Sequence, residues 1–396
     1  MTDSFDISKA REKFPALTRL EGSRTAAYLD GPGGTQTPES VIAAMAGVLE
    51  RGVSNLGGGF GASDEADRIT AGARAAMGRM LGADPSTISF GQNMTSLTFT
   101  MSRALSATWN EGDAIVLTSL DHDANFTPWA MAAADAGVEL RVAEFDTATG
   151  LLDASEVADL IDDRVRLVAV CLASNALGSI VDVRAICEAA HHFGALVYVD
   201  AVHAAPHLPI DISSLGCDFL VASSYKFFGP HTGILSGAPE QMSSIEAYKV
   251  RPAPTDPPGK WETGTQSFES LAGVTAAVEY LESLGPDAIA GHETRLGQRF
   301  LDGIADLSRV ELYGVPRMDG RRVATFAVGV AGLHPDEVAR RMADAGVYVW
   351  SGHYYAVNVM ERLGVMDSGG LVRIGFVHYN TPEEIDRALE VLATLS

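Results

Sequence analysis

The sequence has few positive charges and few cysteines, and it contains no long apolar run. Its 29 lysines and arginines face 51 aspartates and glutamates, which gives the 396 residues a formal net charge of −22. This balance argues against binding to nucleic acid or to an anionic membrane surface, since both depend on Lys and Arg. No stretch reaches the roughly 18 apolar residues of a membrane span. The first residues lack the basic and apolar regions of a signal peptide, so we expect a cytoplasmic protein.

The three cysteines, Cys171, Cys187 and Cys217, have neither the spacing of a metal site nor that of a redox pair. We expect reduced thiols in the cytoplasm. Their positions within or beside predicted strands and helices predict that they are buried and inert. No metal site is expected.

Lysine is scarce as well, with only five in the whole chain. One of them, Lys226, lies within FLVASSYKFFGPHTGIL (219–235), a stretch with no other formally charged side chain. An unpaired ammonium group in apolar surroundings is unfavourable, so its pKa falls toward neutrality. The neutral amine is a nucleophile that forms Schiff bases with carbonyls. A lysine that extends to water or pairs with a carboxylate remains the alternative.

Short apolar strand patterns alternate with amphipathic helical patterns through the first two thirds of the chain. The strand patterns cover residues 87–90, 114–119, 139–144, 166–173, 195–201, 218–223 and 232–237. Helical patterns lie between several of them, for example at 124–137 and 182–193. Strands that are apolar on both faces and joined by helices predict a parallel sheet covered on two sides, the doubly wound α/β class.

The proline-rich segment KVRPAPTDPPGKWETGTQ (249–266) predicts an ordered loop between two parts of the chain. Beyond it, further helical and strand patterns alternate. They cover residues 267–284, 286–305, 322–330, 335–345, 346–352, 371–377 and 382–394. We therefore predict a large domain at 25–265 and a small domain formed by 1–24 together with 266–396.

Polar side chains follow several predicted strands at their carboxyl ends, where ligands bind in open parallel sheets. They are His122, Asn175, Asp200 with His203, and Ser223 with Lys226. The stretch GQNMTS (91–96) follows a strand pattern and opens a helix, so its amides can bind an anion. Each residue alone is more often a helix cap. Their occurrence on one edge of one sheet predicts a ligand site.

These residues suit the chemistry of pyridoxal phosphate, which needs a lysine for its aldehyde and an acid for its pyridine nitrogen. Lys226 can be the lysine. Asp200 can be the acid, because a carboxylate keeps the nitrogen protonated and the ring electron-withdrawing. GQNMTS supplies amide donors for the phosphate. We therefore predict pyridoxal 5'-phosphate as the cofactor.

Six segments resemble, in the same order, motifs of the class V aminotransferase superfamily (PLP fold type I), and within it the cysteine desulfurase-like branch. They are YLDGPGGTQTP (28–38), LDHDANFTPW (120–129), SNALGSIVDV (174–183), the Asp-to-Lys segment at 197–235, WETGTQ (261–266) and VRIGFVHYNTPEEID (372–386). The resemblance runs nearly end to end. It implies a large domain with a mostly parallel seven-stranded sheet, a smaller C-terminal α/β domain, and an obligate homodimer.

The resemblance also implies a role for each matching residue around the cofactor ring. Lys226 would form the Schiff base and later move protons, and Asp200 would pair with the pyridine nitrogen. His122 would stack on the ring face. Asn175 and His203 would surround the ring hydroxyl.

At the phosphate, the resemblance implies binding by Asn93, Met94 and Thr95 at a helix start, with the hydroxyl of Ser223. Tyr225 stands where desulfurases usually have histidine, so a phenol would contact the phosphate there.

Two further residues follow from the resemblance. Thr265 would reach the phosphate in the partner subunit's site. Arg373 would bind the carboxylate of a small amino-acid substrate through its bidentate guanidinium.

One departure from the family pattern concerns the catalytic thiol. Desulfurases of this branch carry a nucleophilic cysteine in a motif like RTGHHCA, and the matching stretch here is WSGHYYA (350–356). Tyr355 occupies the cysteine position, and a phenol cannot accept sulfur as a persulfide. We therefore do not expect a sulfur-transferring desulfurase. Trp350, His353, Tyr354 and Tyr355 would instead shape an aromatic pocket, with His353 and Tyr355 binding a substrate other than free cysteine.

We predict a pyridoxal phosphate enzyme that acts on an amino acid through a Cα carbanion, first of all a C–S lyase that eliminates the β-substituent of a cysteine derivative. Transamination and epimerisation begin with the same proton loss, and a desulfurase with a relocated thiol is a further alternative. Ser223 to Lys226 also matches the S-x-x-K pattern of serine acyl-hydrolases, but no K-T-G strand accompanies it. A catalytically inactive pyridoxal-fold binding module is the last alternative, and Lys226, Asp200 and Arg373 argue against it.

Overall fold

A computed structural model describes residues 5–395, which form a seven-stranded sheet, a four-stranded sheet and two short strand pairs with helices around them. The strands are β1 Leu20–Glu21, β2 Arg24–Thr25, β3 Ala27–Tyr28, β4 Ser89–Gly91, β5 Ala114–Thr118, β6 Glu139–Ala143, β7 Val165–Cys171, β8 Leu196–Asp200, β9 Phe219–Ser223, β10 Gly233–Gly237, β11 Val310–Tyr313, β12 Thr325–Val330, β13 Val347–Tyr348, β14 Trp350–Gly352 and β15 Leu371–Gly375. The α-helices are α1 Ile7–Glu12, α2 Glu39–Arg51, α3 Gly61–Leu81, α4 Met94–Ser106, α5 Thr127–Ala136, α6 Ala154–Ala158, α7 Val183–His192, α8 Ile212–Leu215, α9 Pro239–Ser244, α10 Phe268–Leu284, α11 Pro286–Ala305, α12 Pro335–Asp344, α13 Val357–Arg362 and α14 Pro382–Leu395.

The large sheet has the strand order β4-β10-β9-β8-β7-β5-β6. Strands β6, β5, β7, β8 and β9 run parallel to one another. Strand β10 is antiparallel to both of its neighbours, β9 and β4. The prediction of a large, mostly parallel seven-stranded sheet followed by a smaller C-terminal α/β part is confirmed.

Apart from its exposed edge strand β6, the large sheet is buried on both faces, and its strand residues divide between two apolar clusters. Ile115 and Leu117 of β5 belong to the cluster that contains residues of α4 and α5. Val116, between them, belongs to the cluster that contains residues of α3, α7 and α10. Because successive side chains of a strand point to opposite faces, a continuous apolar run is what such a strand requires. This is the pattern that predicted parallel strands from the sequence.

The small sheet has the order β11-β12-β15-β14, and all its strands are antiparallel. Phe326 and Ile374 on its inner face pack in one cluster with Phe300 of α11 and with residues of α12 and α14. The single strand predicted at 346–352 is divided. Its first part, β13, pairs in parallel with β3 near the N-terminus, and its second part, β14, pairs with β15. The division is at Val349, where the chain leaves one pairing partner for the other.

Contacts cross between the predicted domains in both directions. Arg11 in α1 forms an ion pair with Glu384 at 2.9 Å and donates to the carbonyl of Tyr379, so the N-terminal segment contacts the C-terminal part. Helix α10, although it follows residue 265, packs on α2 and α3 of the large part. The domain division at residues 25 and 265 stays a prediction. Within residues 5–395, no helix combines the length and the apolar character needed to cross a membrane.

The carboxyl ends of β5, β7, β8 and β9 meet at one edge of the large sheet. Helix α4 begins at the same edge, because its N-cap Asn93 follows β4 and lies against Gly233 in β10. A Cβ atom at Gly233 would lie 2.4 Å from the carbonyl carbon of Asn93 and 2.6 Å from its oxygen. The absence of a side chain at this glycine therefore fixes how closely the helix start approaches the sheet.

We expect Gly233→Ala to destabilise the protein by about 1–3 kcal/mol, as overpacking against backbone atoms does. Gly72→Ala is the matched control, because Gly72 lies within α3 and a Cβ there meets no atom within 4 Å. That change should be neutral or slightly stabilising. Urea unfolding of both variants measures the difference. Equal stability of the two would show that the α4 start has room to move.

Candidate active site

A cavity of about 680 Å³ opens at the carboxyl edge of the large sheet, and the small sheet closes one of its sides. Every site residue predicted from the sequence except Thr265 lines it. These residues are Asn93, Met94, Thr95, His122, Asn175, Asp200, His203, Ser223, Tyr225, Lys226, His353, Tyr355 and Arg373. The structure therefore brings together side chains that are spread over most of the chain.

Lys226 follows β9 in a short 3-10 turn, Ser224–Lys226, and is partly buried in the cavity wall. Its Nζ donates a hydrogen bond to the carbonyl of Pro32 and lies 4.7 Å from the centre of the Tyr225 ring. Burial, helped by the nearby charge of Arg373, lowers the pKa of Lys226 to about 7, although Asp200 and Asp30 oppose the change. Lys226 is therefore an amine that gains and loses its proton near neutral pH.

Asp200 is the last residue of β8 and is buried. Its Oδ1 accepts a hydrogen bond of 2.8 Å from the amide of Val202, which fixes the carboxyl group. Burial raises the pKa of Asp200 to about 6, and the Val202 amide and the charge of Lys226 oppose this rise. A cationic nitrogen beside this carboxyl would be stabilised by it, because the opposite charge favours the ionised acid.

His122 caps the short 3-10 turn Asp123–Asn125, and its Nδ1 accepts a hydrogen bond of 3.0 Å from the amide of Ala124. Burial, together with the charges of Lys226 and Arg373, lowers the pKa of His122 to about 3. The ring is therefore neutral at physiological pH, with its proton on Nε2. It lies nearly parallel to the ring of Tyr355, with 5.5 Å between centroids and 11° between planes.

The start of α4 is built to bind an anion. The amide of Ser96 donates to the Oδ1 of Asn93 at 2.9 Å, and the Ser96 hydroxyl accepts from the Asn93 amide. The amide of Met94 donates to the hydroxyl of Ser223 at 3.1 Å. Thr95 is the second residue of α4, a position at which the helix itself offers its amide no acceptor. This amide, at the positive end of a helix dipole, and the hydroxyl hydrogen of Ser223 are suited to a phosphate group.

Arg373 in β15 is buried, and its Nη1 donates to the carbonyl of Asn175 at 3.1 Å. Its guanidinium lies 4.6 Å from the centre of the Tyr354 ring. Burial lowers the pKa of Arg373 to about 10, so it stays a cation at neutral pH. Its Nε has no partner among residues 5–395. The guanidinium therefore has donor capacity left over for a carboxylate.

Asn175 and His203 complete the inner wall. The Nδ2 of Asn175 donates to the carbonyl of Tyr354 at 2.9 Å, and its Oδ1 is buried without a partner in the described structure. The Nε2 of His203 is 3.0 Å from the hydroxyl of Thr325 in β12. Burial holds the pKa of His203 well below its usual range, so this ring is neutral as well.

Three of the predicted residues lie at the margin. Tyr225 stacks on His231, with 4.7 Å between centroids. His353 is exposed and accepts a hydrogen bond from the amide of Tyr355 through its Nδ1. Thr265 lies outside the cavity, where it accepts a hydrogen bond of 3.4 Å from Asn55. Its role toward a partner subunit stays a prediction.

Sequence reasoning assigned no role to one cavity segment, the turn at Asp30–Gly33. Pro32 supplies the carbonyl that binds Lys226, and Gly33 lies against the indole of Trp350. Burial raises the pKa of Asp30 to about 6, with Arg373 and Lys226 opposing the rise. The segment belongs to the motif YLDGPGGTQTP, so the motif itself was the available signal. What the motif could not show is that this N-terminal turn contacts Lys226, nearly 200 residues later.

The positions of the three cysteines and of Ser223 and Lys226 bear on two of the alternatives. All three cysteines are buried, as predicted, and Cys171 alone of them lines the cavity. Burial raises the pKa of the Cys171 thiol well above its usual value, and Asp121 and Asp200 raise it further.

Ser223 accepts from Met94 while Lys226 donates to Pro32, so the two residues of the S-x-x-K pattern do not bond to each other. Within residues 5–395, no three His, Cys, Asp or Glu residues are placed to hold a metal ion.

The polar groups of the cavity fit pyridoxal 5'-phosphate. A lysine with a pKa near 7 suits its aldehyde, and a buried carboxyl suits its pyridine nitrogen. The amide and hydroxyl at the start of α4 suit its phosphate. The unpartnered Oδ1 of Asn175 leaves an acceptor for a hydroxyl group.

Comparisons with known sequences agree with this reading of the cavity. Residues 27–388 match the family model Aminotransferase class-V. Probable cysteine desulfurase 1 of Mycobacterium leprae is 32% identical over 413 residues, which cover 100% of this chain and 66% of that protein. This chain covers 58% of a probable cysteine desulfurase of Mycolicibacterium paratuberculosis, so it spans less than two thirds of these two relatives. A probable cysteine desulfurase of Staphylococcus epidermidis is 31% identical, with 98% of this chain and 96% of that protein covered.

Solved structures show the same relationship. The apo structure of cysteine desulfurase from Thermococcus onnurineus NA1 superposes with a TM-score of 0.92 at 29% identity, covering 98% of this chain and 97% of that chain. The cysteine desulfurase CsdA from Escherichia coli, at 24% identity and a TM-score of 0.88, is similar in fold. The chain therefore belongs to the class-V aminotransferase family and is an enzyme that uses pyridoxal 5'-phosphate.

Proposed function

We propose that the protein is a lyase that eliminates the sulfur-containing β-substituent of a cysteine derivative, releasing a thiol, pyruvate and ammonia. An amino-acid substrate is consistent with the family. The observation that carries the proposal concerns thiols: within residues 5–395, Cys171 alone reaches the cavity, and burial raises its pKa well above the usual value. A persulfide-forming thiol needs the opposite, a pKa low enough for the thiolate to form.

We assign the holding of the cofactor to three elements. Lys226 would bind the aldehyde, Asp200 would face the pyridine nitrogen, and the start of α4 with Ser223 would bind the phosphate. When bound, pyridoxal phosphate supplies an electron-withdrawing ring attached to the substrate amine, which acidifies the Cα proton. The neutral ring of His122 supplies a flat, uncharged wall for that ring.

The substrate is oriented by its carboxylate. Arg373 offers a guanidinium that its bond to Asn175 and its contact with Tyr354 hold in place. A carboxylate bound there in bidentate fashion has only one orientation, so the Cα proton occupies a fixed position. Lysine would be a poor replacement, because its ammonium group lacks the planar pair of donors with which a guanidinium binds a carboxylate.

Lys226 is the group that moves the proton. Its pKa near 7 lets the neutral amine accept a proton and return it at neutral pH. In the elimination, the Lys226 amine, which is free once the substrate amine has taken its place at the aldehyde, would take the Cα proton, and the electrons of that bond would form the new Cα–Cβ double bond. The Cβ–S bond breaks with its electron pair on sulfur, and the sulfur receives the proton from Lys226. Water then hydrolyses the unsaturated product to pyruvate and ammonia.

We propose in addition that two copies of the chain form the working enzyme. Thr265 lies outside the cavity and bonds to Asn55, whose neighbourhood is exposed. In a homodimer both residues would face the phosphate end of the partner's cavity. The position of Thr265 outside its own site supports this arrangement.

We expect holoenzyme incubated with an S-substituted L-cysteine to release thiol, pyruvate and ammonia in equal amounts without an added keto acid. Lys226→Ala should lower kcat by roughly a thousandfold or more, because it removes the proton carrier. Cys171→Ala should retain the activity of the wild type. Coupled assay of pyruvate with lactate dehydrogenase measures all three proteins.

Three outcomes would contradict the proposal. Strict dependence on a keto acid would indicate transamination, and loss of chirality at Cα without thiol release would indicate epimerisation. Loss of activity in Cys171→Ala, with sulfide released only when a reductant is present, would indicate a desulfurase that uses the relocated thiol. Cys187→Ala is the control for a buried thiol that does not line the cavity.

The lowered pKa of Lys226 generates a separate prediction. Reconstitution of apoenzyme with pyridoxal phosphate needs the neutral amine, so its rate should rise with pH through about 7 rather than near the usual lysine value of about 10.4. Arg373→Gln removes a cation that lowers this pKa and should shift the profile to higher pH. Asp200→Asn removes a carboxylate that raises it and should shift the profile to lower pH. Stopped-flow absorbance checks both directions, and shifts of the same sign would contradict the assignment.

A further inference from the structure

The mouth of the cavity is formed by an aromatic rim, Trp350, Tyr354 and Tyr355. All three rings line the cavity. Trp350 is 55% exposed and Tyr355 is 65% exposed, so two large aromatic side chains face solvent at the entrance. Phe99, Thr127 and Pro128 add further wall area without formal charge. A ligand that extends from the cavity toward solvent passes along this rim.

The aromatic rim surrounds the group that holds the substrate carboxylate. Trp350 is the direct cross-strand partner of Arg373 in the β14–β15 pair. Directly opposed residues of an antiparallel pair place their side chains on the same face, so the indole lies on the face of the small sheet that carries the guanidinium. Tyr354 contacts the same guanidinium at 4.6 Å. A substrate fixed by its carboxylate at Arg373 therefore has aromatic surface within reach of its side chain.

The rim is held in a strained conformation. Tyr354 and Tyr355 have φ of +52° and +58°, in the left-handed region that non-glycine residues rarely adopt. Each residue in this region costs roughly 1–3 kcal/mol and needs support from its surroundings. The carbonyl of Tyr354 accepts from Asn175 at 2.9 Å, and the carbonyl of Tyr355 accepts from the amide of Asp123 at 2.6 Å. Two anchors on cavity elements therefore hold the two tyrosines at the mouth.

The charges of the lining restrict what the rim can accept. Among the described residues that line the cavity, Lys226 and Arg373 are the only lysine and arginine, and both have roles in the proposed reaction. Asp123, whose amide binds the carbonyl of Tyr355, is an acid close to the rim. A second carboxylate on the substrate would therefore meet an acid and no free cation.

We propose that the enzyme takes amino acids whose β-substituent is an uncharged aromatic thioether, and that Trp350 and Tyr355 are the residues that select it. An aryl group can stack on these rings, while a second carboxylate would lie near Asp123 without a free lysine or arginine of the lining to pair with. This inference rests on the proposed elimination for its thioether, but the preference for an aromatic group is a property of binding.

The test uses the holoenzyme and two isosteres that have no leaving group. L-homophenylalanine replaces the sulfur of S-phenyl-L-cysteine by a methylene group, and L-2-aminoadipate does the same for S-carboxymethyl-L-cysteine. Dissociation constants come from the change in cofactor absorbance or from calorimetry. We expect homophenylalanine to bind about tenfold tighter or more, as one or two aromatic contacts allow. Trp350→Ala should bring the ratio close to one, and Tyr355→Ala should lower it in part.

Two controls make the result specific. Phe193→Ala removes another exposed aromatic ring that does not line the cavity, and it should leave the ratio unchanged. L-2-aminohexanoate tests whether the preference is for an aromatic ring or for any apolar chain. Equal binding of homophenylalanine, aminohexanoate and aminoadipate would overturn the inference. The inference would also be overturned if the Trp350→Ala variant dissociated into monomers but kept the wild-type ratio of the two dissociation constants. The indole would then belong to a subunit interface.

The same samples separate failure of this inference from failure of the proposed reaction. Tight binding of homophenylalanine without pyruvate release from S-phenyl-L-cysteine would support the aromatic preference and contradict the proposed elimination. Equal pyruvate release from S-phenyl-L-cysteine, S-carboxymethyl-L-cysteine and L-cysteine would keep the elimination and remove the aromatic preference.

Discussion

The site depends on one constraint: among residues 5–395, no carboxylate is in direct contact with the amine of Lys226. Its Nζ donates a hydrogen bond to the neutral carbonyl of Pro32. Asp200 and Asp30 raise its pKa only through their charges. An ion pair would have fixed the lysine as a cation. Without one, burial determines its pKa and brings it near 7, where an amine can act as nucleophile and as proton carrier. The other parts of the cavity are arranged around a lysine in this state.

The sequence predicted those parts of the fold in which burial leaves a continuous pattern. Strands β5, β7, β8, β9 and β10 are almost wholly buried, so each appears as an apolar run with clear ends. Strand β11 was missed because Val310–Tyr313 is partly exposed and short. The division of residues 346–352 was missed because it depends on β3, a pairing partner more than 300 residues away. The local sequence pattern does not show with which distant strand a segment will pair.

The same distinction explains the site. His122, Asn175, Asp200 and Lys226 could be predicted to lie together, because parallel strands bring their carboxyl ends to one edge. The contact of Pro32 with Lys226 depends on where the N-terminal turn lies against the large sheet, and the pairing of Trp350 with Arg373 depends on the register of β14 and β15. The left-handed backbone of two tyrosines is a further feature that residue type disfavours. The sequence pattern therefore predicted which residues form the site, but it did not predict the shape of the cavity mouth.

Two cations lie in the cavity wall and two carboxyl groups lie in or near it, and their coupling links substrate binding to catalysis. Arg373 lowers the pKa of Lys226, while Asp200 and Asp30 raise it. A substrate carboxylate on Arg373 places a negative charge beside the cation that disfavours protonation of the lysine. The field of Arg373 at Lys226 is then offset, and the lysine becomes a stronger base when the substrate is in place. A molecule without a carboxylate leaves Arg373 uncompensated and the lysine a weaker base. The guanidinium thus favours amino acids twice, once through the bonds it makes and once through the basicity that its neutralisation gives to Lys226.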